Sequence, residues 1–148
     1  MLLALSILNA ILGLAAVAIC LSVVVYGPAN TANFSETLFD TLTGSSYPHT
    51  GPWPATMDSE LRFYAPFWGA YGLVLISVAR DLPGRLHYVP PLAMIFFIGG
   101  VGRALSYVLV GPPHPFFSFL MVIELLLPVA FLTLWRGVRS RMILVRSW

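Results

Sequence analysis

Residues 94–113 read MIFFIGGVGRALSYVLVGPP, an apolar run with a single arginine, Arg103, in its middle. The run is part of a longer apolar segment, and a helix needs about 20 such residues to cross a bilayer. A lone charge in such a helix costs about 2.5–3.5 kcal/mol on insertion scales, so a partner that neutralises it is expected. This stretch predicts a membrane-spanning helix and a second buried polar group beside Arg103.

The composition of the whole chain is that of a membrane protein. Of its 148 residues, 58% are hydrophobic and 9% are charged, whereas soluble domains carry about 25% charged residues. The net charge of +2 is small and scattered, which argues against a nucleic-acid partner. Cys20 is the only cysteine, so neither an internal disulfide nor a cysteine-based metal site is possible.

Four apolar runs are long enough to cross a bilayer. Backbone polar groups find no water in lipid, so each run is expected to be a helix. The first run lacks a basic n-region and is too long for a cleaved signal peptide, so we expect it to be retained. The sequence predicts one all-α domain, a polytopic four-transmembrane-helix bundle over residues 1–148, with helices at 2–26, 62–79, 89–110 and 116–135.

The positions of the arginines predict the orientation. Residues 27–61 contain neither lysine nor arginine, whereas the turn at 80–88 and the tail at 136–148 are rich in arginine. We therefore expect both termini in the cytoplasm, residues 27–61 as an outer loop, and residues 136–148 as a tail on the inner surface with its arginines at lipid phosphates. The outer loop should be mostly irregular, with a short amphipathic helix at SETLFDTL that Ser35 caps.

The partner of Arg103 is predicted from depth. Arg103 lies seven residues before Val110, about 10 Å below the outer boundary, and Glu124 lies eight residues after Phe116, about 12 Å deep. A short turn joins the two helices, which makes them antiparallel neighbours. We therefore predict an Arg103–Glu124 ion pair inside the bundle.

A polar pocket around this pair is the candidate site. Arginine has five donors, and glutamate can satisfy only some of them. The pair could bind a ligand or a proton, or it could only fix the order of the helices. The candidate residues are Arg103, Glu124, Glu60, Arg62, Ser106, Tyr107 and His114, with Ser118 as a further hydrogen-bond partner, Arg62 reaching lipid phosphate and His114 in the turn above the pocket.

No residue set for catalysis, a cofactor or a metal is recognisable. The three histidines fall in separate segments, with His49 and His87 expected in solvent, so no metal site is predicted. A phosphate-binding loop and a nucleophile elbow are both missing from the sequence.

Three segments resemble a known family: ELRFYAPFWGAYGLVLI, IGGVGRALSYVLVGPPHP and FFSFLMVIELLLPVAFL. They are similar to an uncharacterised bacterial family of four-helix membrane proteins, domain of unknown function 4345, which is similar in outline to the DoxX-like proteins. The resemblance covers about residues 60–135. It implies the fold and the bacterial inner membrane as the location, and it implies no activity. Membrane lipids are the expected partners of a chain in that location.

Three functions remain open. The favoured one is a non-enzymatic accessory or assembly subunit of a larger inner-membrane complex, with other membrane subunits as partners. The alternative is a binder or carrier of a small amphiphile, such as a lipid, quinone or isoprenoid, in the pocket around Arg103 and Glu124. The third is a small membrane enzyme that uses Glu124 or Glu60 as an acid or base, and it ranks last because a nucleophile and a metal site are both missing.

Overall fold

The computed structural model describes residues 1–49 and 51–146, with side chains described as far as Met142. The described residues form helices and turns without a strand, which confirms the predicted all-α class. Four helical segments are long and apolar enough to cross a membrane, as predicted. The helices are α1 (Leu2–Tyr26), α2 (Pro28–Thr43), α3 (Ala55–Arg80), α4 (Leu82–Arg85), α5 (Val89–Val110) and α6 (Pro115–Arg146), with a 3-10 turn at Leu86–Tyr88 before α5.

Helix α1 packs tightly against α3 because small residues meet where the two helices cross. A Cβ atom added to Gly13 would lie 2.7 Å from the carbonyl oxygen of Gly72, and one added to Gly69 would lie 2.7 Å from Cys20 Sγ. Association of helices in lipid depends on such close approach, since lipid tails are as apolar as leucine side chains. The crossing therefore makes α1 and α3 one tightly packed pair.

Helices α5 and α6 form the second pair, joined by the turn at residues 111–114. Gly111 in this turn has a φ of 116°, which an L side chain rarely adopts. A Cβ atom added to Gly100 of α5 would lie 2.9 Å from Glu124 Cβ on α6. The two helices are therefore in close contact about one turn from Arg103.

A hydrophobic core joins the two pairs at the α4 end of the bundle. The Tyr71 hydroxyl donates a hydrogen bond to the Leu92 carbonyl at 3.0 Å, and Trp135 Nε1 donates one to the Leu86 carbonyl at 3.1 Å. The buried core here contains Leu5, Leu75, Val78, Leu82, Val89, Phe131 and Val138. At the opposite end, under α2, the two pairs leave a cavity between them.

The segment predicted as an irregular outer loop contains the 16-residue helix α2. The helix begins at Pro28, after Gly27 with its φ of 89°, rather than after Ser35. Proline suits the first helical position because its φ is already helical and it lacks an N–H that would be unpaired there. Ser35 is therefore not an N-cap: it lies within the helix and its hydroxyl donates to the Thr31 carbonyl.

Two other boundaries differ from the sequence prediction. Helix α3 begins at Ala55 instead of residue 62, since residues 55–61 contain neither proline nor glycine and Asp58 lies favourably in the first turn. Helix α6 continues from 135 to Arg146, so most of the predicted surface tail is an extension of this helix. Residues 147–148, at the end of that tail, lie outside the described residues.

Candidate functional site

An ion pair between α5 and α6 lies at the centre of the candidate site. Arg103 Nε donates to Glu124 Oε2 at 2.8 Å, which is the contact predicted from the depths of the two residues. The Glu124 side chain is only 9% exposed, whereas the Arg103 side chain is 40% exposed. The carboxylate is therefore held in the protein, and the guanidinium reaches from it into more open space.

That open space is a cavity of about 620 Å³ between the two helix pairs. Arg103 and Glu124 form the charged part of its wall, and Ser106 adds a hydroxyl. Most of the remaining wall is apolar and aromatic, with side chains from α1, α3, α5 and α6. The large aromatic members are Trp53, Tyr64, Trp68, Phe96, Phe116 and Phe117.

Helix α2 closes the cavity at one end. Pro28, Thr31, Ala32 and Ser35 of this helix contribute to the lining. The opposite face of α2 leaves three large apolar side chains exposed, at Phe34, Leu38 and Leu42, and the buried face carries Ala32, Glu36 and Asp40. Helix α2 therefore covers one end of the cavity as a lid, with an apolar face turned away from the bundle.

Arg103 has hydrogen-bonding capacity beyond its contact with Glu124. That contact uses Nε, and no described residue accepts a hydrogen bond from Nη1 or Nη2. The Phe117 ring lies beneath the guanidinium, with its centroid 5.8 Å from Arg103 Cζ. Glu124 thus orients Arg103 from one side, and the two remaining nitrogen groups are available to an acceptor in the cavity.

The other predicted site residues do not surround the cavity. Glu60 and Tyr107 are exposed and are not among the lining residues. Arg62 makes two contacts within the protein: its Nε donates to Asp58 Oδ2 at 2.6 Å, and its Nη1 donates to the Val24 carbonyl at 2.6 Å. Arg62 therefore ties the end of α1 to α3.

Besides Glu124, four residues were expected to form hydrogen bonds with Arg103, and none of them does so: Ser106, Tyr107, Ser118 and Glu60.

His114 belongs to a second polar cluster that the sequence analysis missed. Its side chain is 2% exposed, and its Nε2 lies 3.5 Å from Asp40 Oδ1. His49 Nε2 lies 3.5 Å from the other oxygen of the same carboxylate. The expectation that the histidines stay in separate regions is wrong for this pair, because α2 carries residues 40–49 back onto the α5–α6 turn. Sixty-five positions separate His49 from His114, and the sequence gives no signal of this contact.

The Asp40 carboxylate is stabilised in its charged form. Burial alone would raise its pKa, but the Tyr47 N–H at 3.1 Å and the Ser45 hydroxyl at 3.0 Å both donate to it. With further contributions from His114 and His49, these contacts hold the pKa of Asp40 below its usual value. The cluster therefore presents an ionised carboxylate to two imidazoles.

Comparison with known proteins gives one finding. A family model described as Domain of unknown function (DUF4345) matches residues 4–135, which include α2, α3, α5, most of α1 and α6, and all residues that line the cavity. No match to the chain was found among curated proteins or among solved structures.

Proposed function

The chain belongs to the DUF4345 family, and we propose that it binds one small amphiphile, with an anionic or carbonyl-bearing head group at Arg103 and an apolar body in the cavity. One observation carries the proposal: a guanidinium with two uncommitted nitrogen groups faces an apolar cavity between transmembrane helices. Glu124 compensates the charge through Nε alone, so the two outer nitrogens keep their capacity to bind an acceptor.

The size and the lining of the cavity fit such a ligand. Small-molecule sites have volumes of about 300–1,000 Å³ and mostly apolar walls with a few orienting polar groups. The cavity has about 620 Å³, and Arg103, Glu124 and Ser106 are its polar groups at one wall. This volume suits a quinone, an isoprenoid or part of a lipid chain better than a polar metabolite.

The arrangement separates two roles within the ion pair. Glu124 fixes the guanidinium through Nε and keeps the site near neutral overall. The planar fork of Arg103 then offers its outer nitrogens to two oxygens at once, a geometry that lysine lacks. A carboxylate, a phosphate or a pair of carbonyl oxygens would match it.

The geometry changes the order of the functions that the sequence favoured. An accessory subunit remains a prediction, but the exposed apolar side chains that would favour it are expected of any helix facing lipid. The enzymatic alternative has less support because Glu60 is not among the residues that line the cavity and because Glu124 forms an ion pair with Arg103. A cavity with a charged wall is expected of a binder and is not required of an accessory subunit.

The test uses a variant that fills the cavity. Gly99 lines it, and a Cβ atom added there meets nothing within 4 Å, so Gly99→Leu should occupy ligand space without disturbing helix packing. Val108→Leu, at an exposed position of the same helix, is the matched control. Native mass spectrometry of the protein in mild detergent should show a retained amphiphile in the parent and in Val108→Leu, and its loss in Gly99→Leu.

Two results would contradict the proposal. One is a parent protein that retains no amphiphile and whose melting temperature does not change when lipid extract is added. The other is equal retention in the parent and in Gly99→Leu. A stoichiometric membrane-protein neighbour in the same preparation, with no retained amphiphile, would favour the accessory-subunit interpretation instead.

A further inference from the structure

We propose that Asp40, His49 and His114 form a binding site for one first-row divalent metal ion, of which Zn²⁺ fits the donor set best. This site is separate from the cavity and does not depend on the amphiphile proposal. The three residues each offer one ligand atom, and these atoms all lie within 4.8 Å of one another.

The spacing of the three groups is close to what a metal ion requires. Two nitrogen or oxygen ligands at about 2.0–2.1 Å from a tetrahedral Zn²⁺ lie about 3.4 Å apart. The two imidazole nitrogens are each 3.5 Å from an oxygen of Asp40, too long for good hydrogen bonds and close to this ligand–ligand separation. The two nitrogens face different oxygens of Asp40, and the three ligand atoms lie within 4.8 Å of one another, so a bound ion would draw the side chains closer together.

An unpartnered buried nitrogen supplies a second observation. His114 Nε2 is buried and makes no hydrogen bond among the described residues, although it points towards the Asp40 carboxylate. Buried polar atoms in folded proteins are nearly always paired, so one without a partner needs an explanation. A metal ion between His114 and Asp40 provides it.

The surroundings hold the ligands in place. The Tyr47 N–H and the Ser45 hydroxyl orient the Asp40 carboxylate, as outer groups commonly do around metal ligands. His114 Nδ1 accepts the Phe116 N–H at 3.2 Å. Coordination through Nε2 places the proton of the neutral ring on Nδ1, so this contact must be given up when the ion binds. One long hydrogen bond is thus exchanged for a metal–nitrogen bond.

The donor set selects the class of ion. Two imidazoles and one carboxylate suit Zn²⁺, Co²⁺ or Fe²⁺, whereas Mg²⁺ and Ca²⁺ prefer oxygen ligands throughout. The His49 side chain is 40% exposed, so water can reach a fourth coordination position. Because Asp40 lies on α2 and His114 directly precedes α6, a bound ion would fasten α2 to the α5–α6 pair.

The experiment uses tag-free, full-length protein in detergent, stripped with chelator and titrated with Zn²⁺ by calorimetry. We expect one Zn²⁺ per chain, retained in excess Mg²⁺. Loss of an outer partner of a metal ligand lowers affinity by about 10–100-fold, so loss of a ligand itself in His114→Ala or in Asp40→Ala should lower it at least as much. His87→Ala, which alters an exposed histidine next to α5 at the other end of the bundle, is the control and should bind as the parent does.

Absence of Zn²⁺ binding by the parent would overturn the proposal, and so would equal binding in folded His114→Ala and in His87→Ala. Co²⁺ added to the stripped parent gives a readout that needs no variant. An intense visible absorption band indicates four-coordinate Co²⁺ with nitrogen ligands and supports the site. A pale spectrum, typical of hydrated Co²⁺, would overturn the proposal even if both ligand variants failed to fold.

Discussion

Arg103 and Glu124 differ in how far they are removed from solvent, and this difference decides the effect of each substitution. Arg103→Ala leaves the buried Glu124 carboxylate without its hydrogen-bond donor. An unpaired buried polar group costs about 1–3 kcal/mol, more if it stays charged. We expect Arg103→Ala to lower the free energy of unfolding by about this amount, and the double variant Arg103→Ala with Glu124→Ala to lower it by less.

Thermal unfolding in detergent would measure this difference, with Arg136→Ala as a control at an exposed arginine of α6. Equal melting temperatures for the single variant, the double variant and the parent would mean that the ion pair contributes nothing to stability.

The sequence predicts a contact between two residues only where few alternative partners exist. Two opposite charges on adjacent apolar helices at equal depth have few partners besides each other, so the Arg103–Glu124 contact is predictable. The contact between Asp40 and His114 depends on how α2 folds back over the bundle. Neither hydrophobic periodicity nor charge depth contains that information.

Among the helices, the glycines at positions 99 and 100 have opposite roles although they are neighbours in sequence. A Cβ atom on Gly100 would lie 2.9 Å from Glu124 Cβ and 3.0 Å from the Glu124 carbonyl carbon, whereas one on Gly99 meets nothing within 4 Å. We expect Gly100→Ala to destabilise the protein by about 1–3 kcal/mol because it forces α5 and α6 apart. Gly99→Ala should be neutral or should stabilise the helix by up to about 1 kcal/mol.

Chemical or thermal unfolding of the two variants in the same detergent makes the comparison, and each serves as the control for the other. Equal stability of the two variants would show that α5 and α6 do not depend on contact at Gly100. Retention of amphiphile should also survive Gly99→Ala better than Gly99→Leu, since one methyl group takes up little of the cavity.

The first and last residues of a helix were predictable only where the ends of an apolar run determine them. Helix α1 and helix α5 have the predicted bounds because their apolar runs end at Gly27 and Gly111. The length of helix α2 was underestimated because its sequence is polar overall and because its first turn depends on Pro28. The first residues of α3 and the last residues of α6 lie outside the apolar runs, yet they form helix readily. A prediction based on hydropathy does not detect such residues.

For the whole molecule, the sequence predicts the class and the number of spans, but not the cavity. Apolar content and segment length require spanning helices, and four of them are present. The cavity results from two tight pairs, α1 with α3 and α5 with α6, that are joined by a core at only one end. Which helices pair tightly depends on where glycines face each other, such as Gly13 and Gly72, and a single sequence does not reveal that.

The distribution of charge over the bundle leads to a prediction of orientation. The described arginines Arg80, Arg85, Arg136, Arg139 and Arg141 lie near the α4 end, together with Met1, which contacts Gly137. Arginine excess marks the cytoplasmic side of a membrane protein, so we expect this end in the cytoplasm and the α2 end outside. Single-cysteine variants on a Cys20→Ala background test this, with Ser46→Cys beyond α2 and Ser140→Cys near the end of α6, both at exposed positions.

In intact cells that produce the protein in their plasma membrane, a membrane-impermeant maleimide should label Ser46→Cys and should label Ser140→Cys only after the membrane is permeabilised. The reverse pattern would invert the orientation while leaving the four spans intact, and the α2 lid would then lie on the cytoplasmic side. Labelling of both positions from the same side would be incompatible with a spanning bundle, because residue 46 lies at the α2 end of the bundle and residue 140 lies near the α4 end. Orientation and span number are therefore separable in one experiment, and the cavity can be assigned to a leaflet from its result.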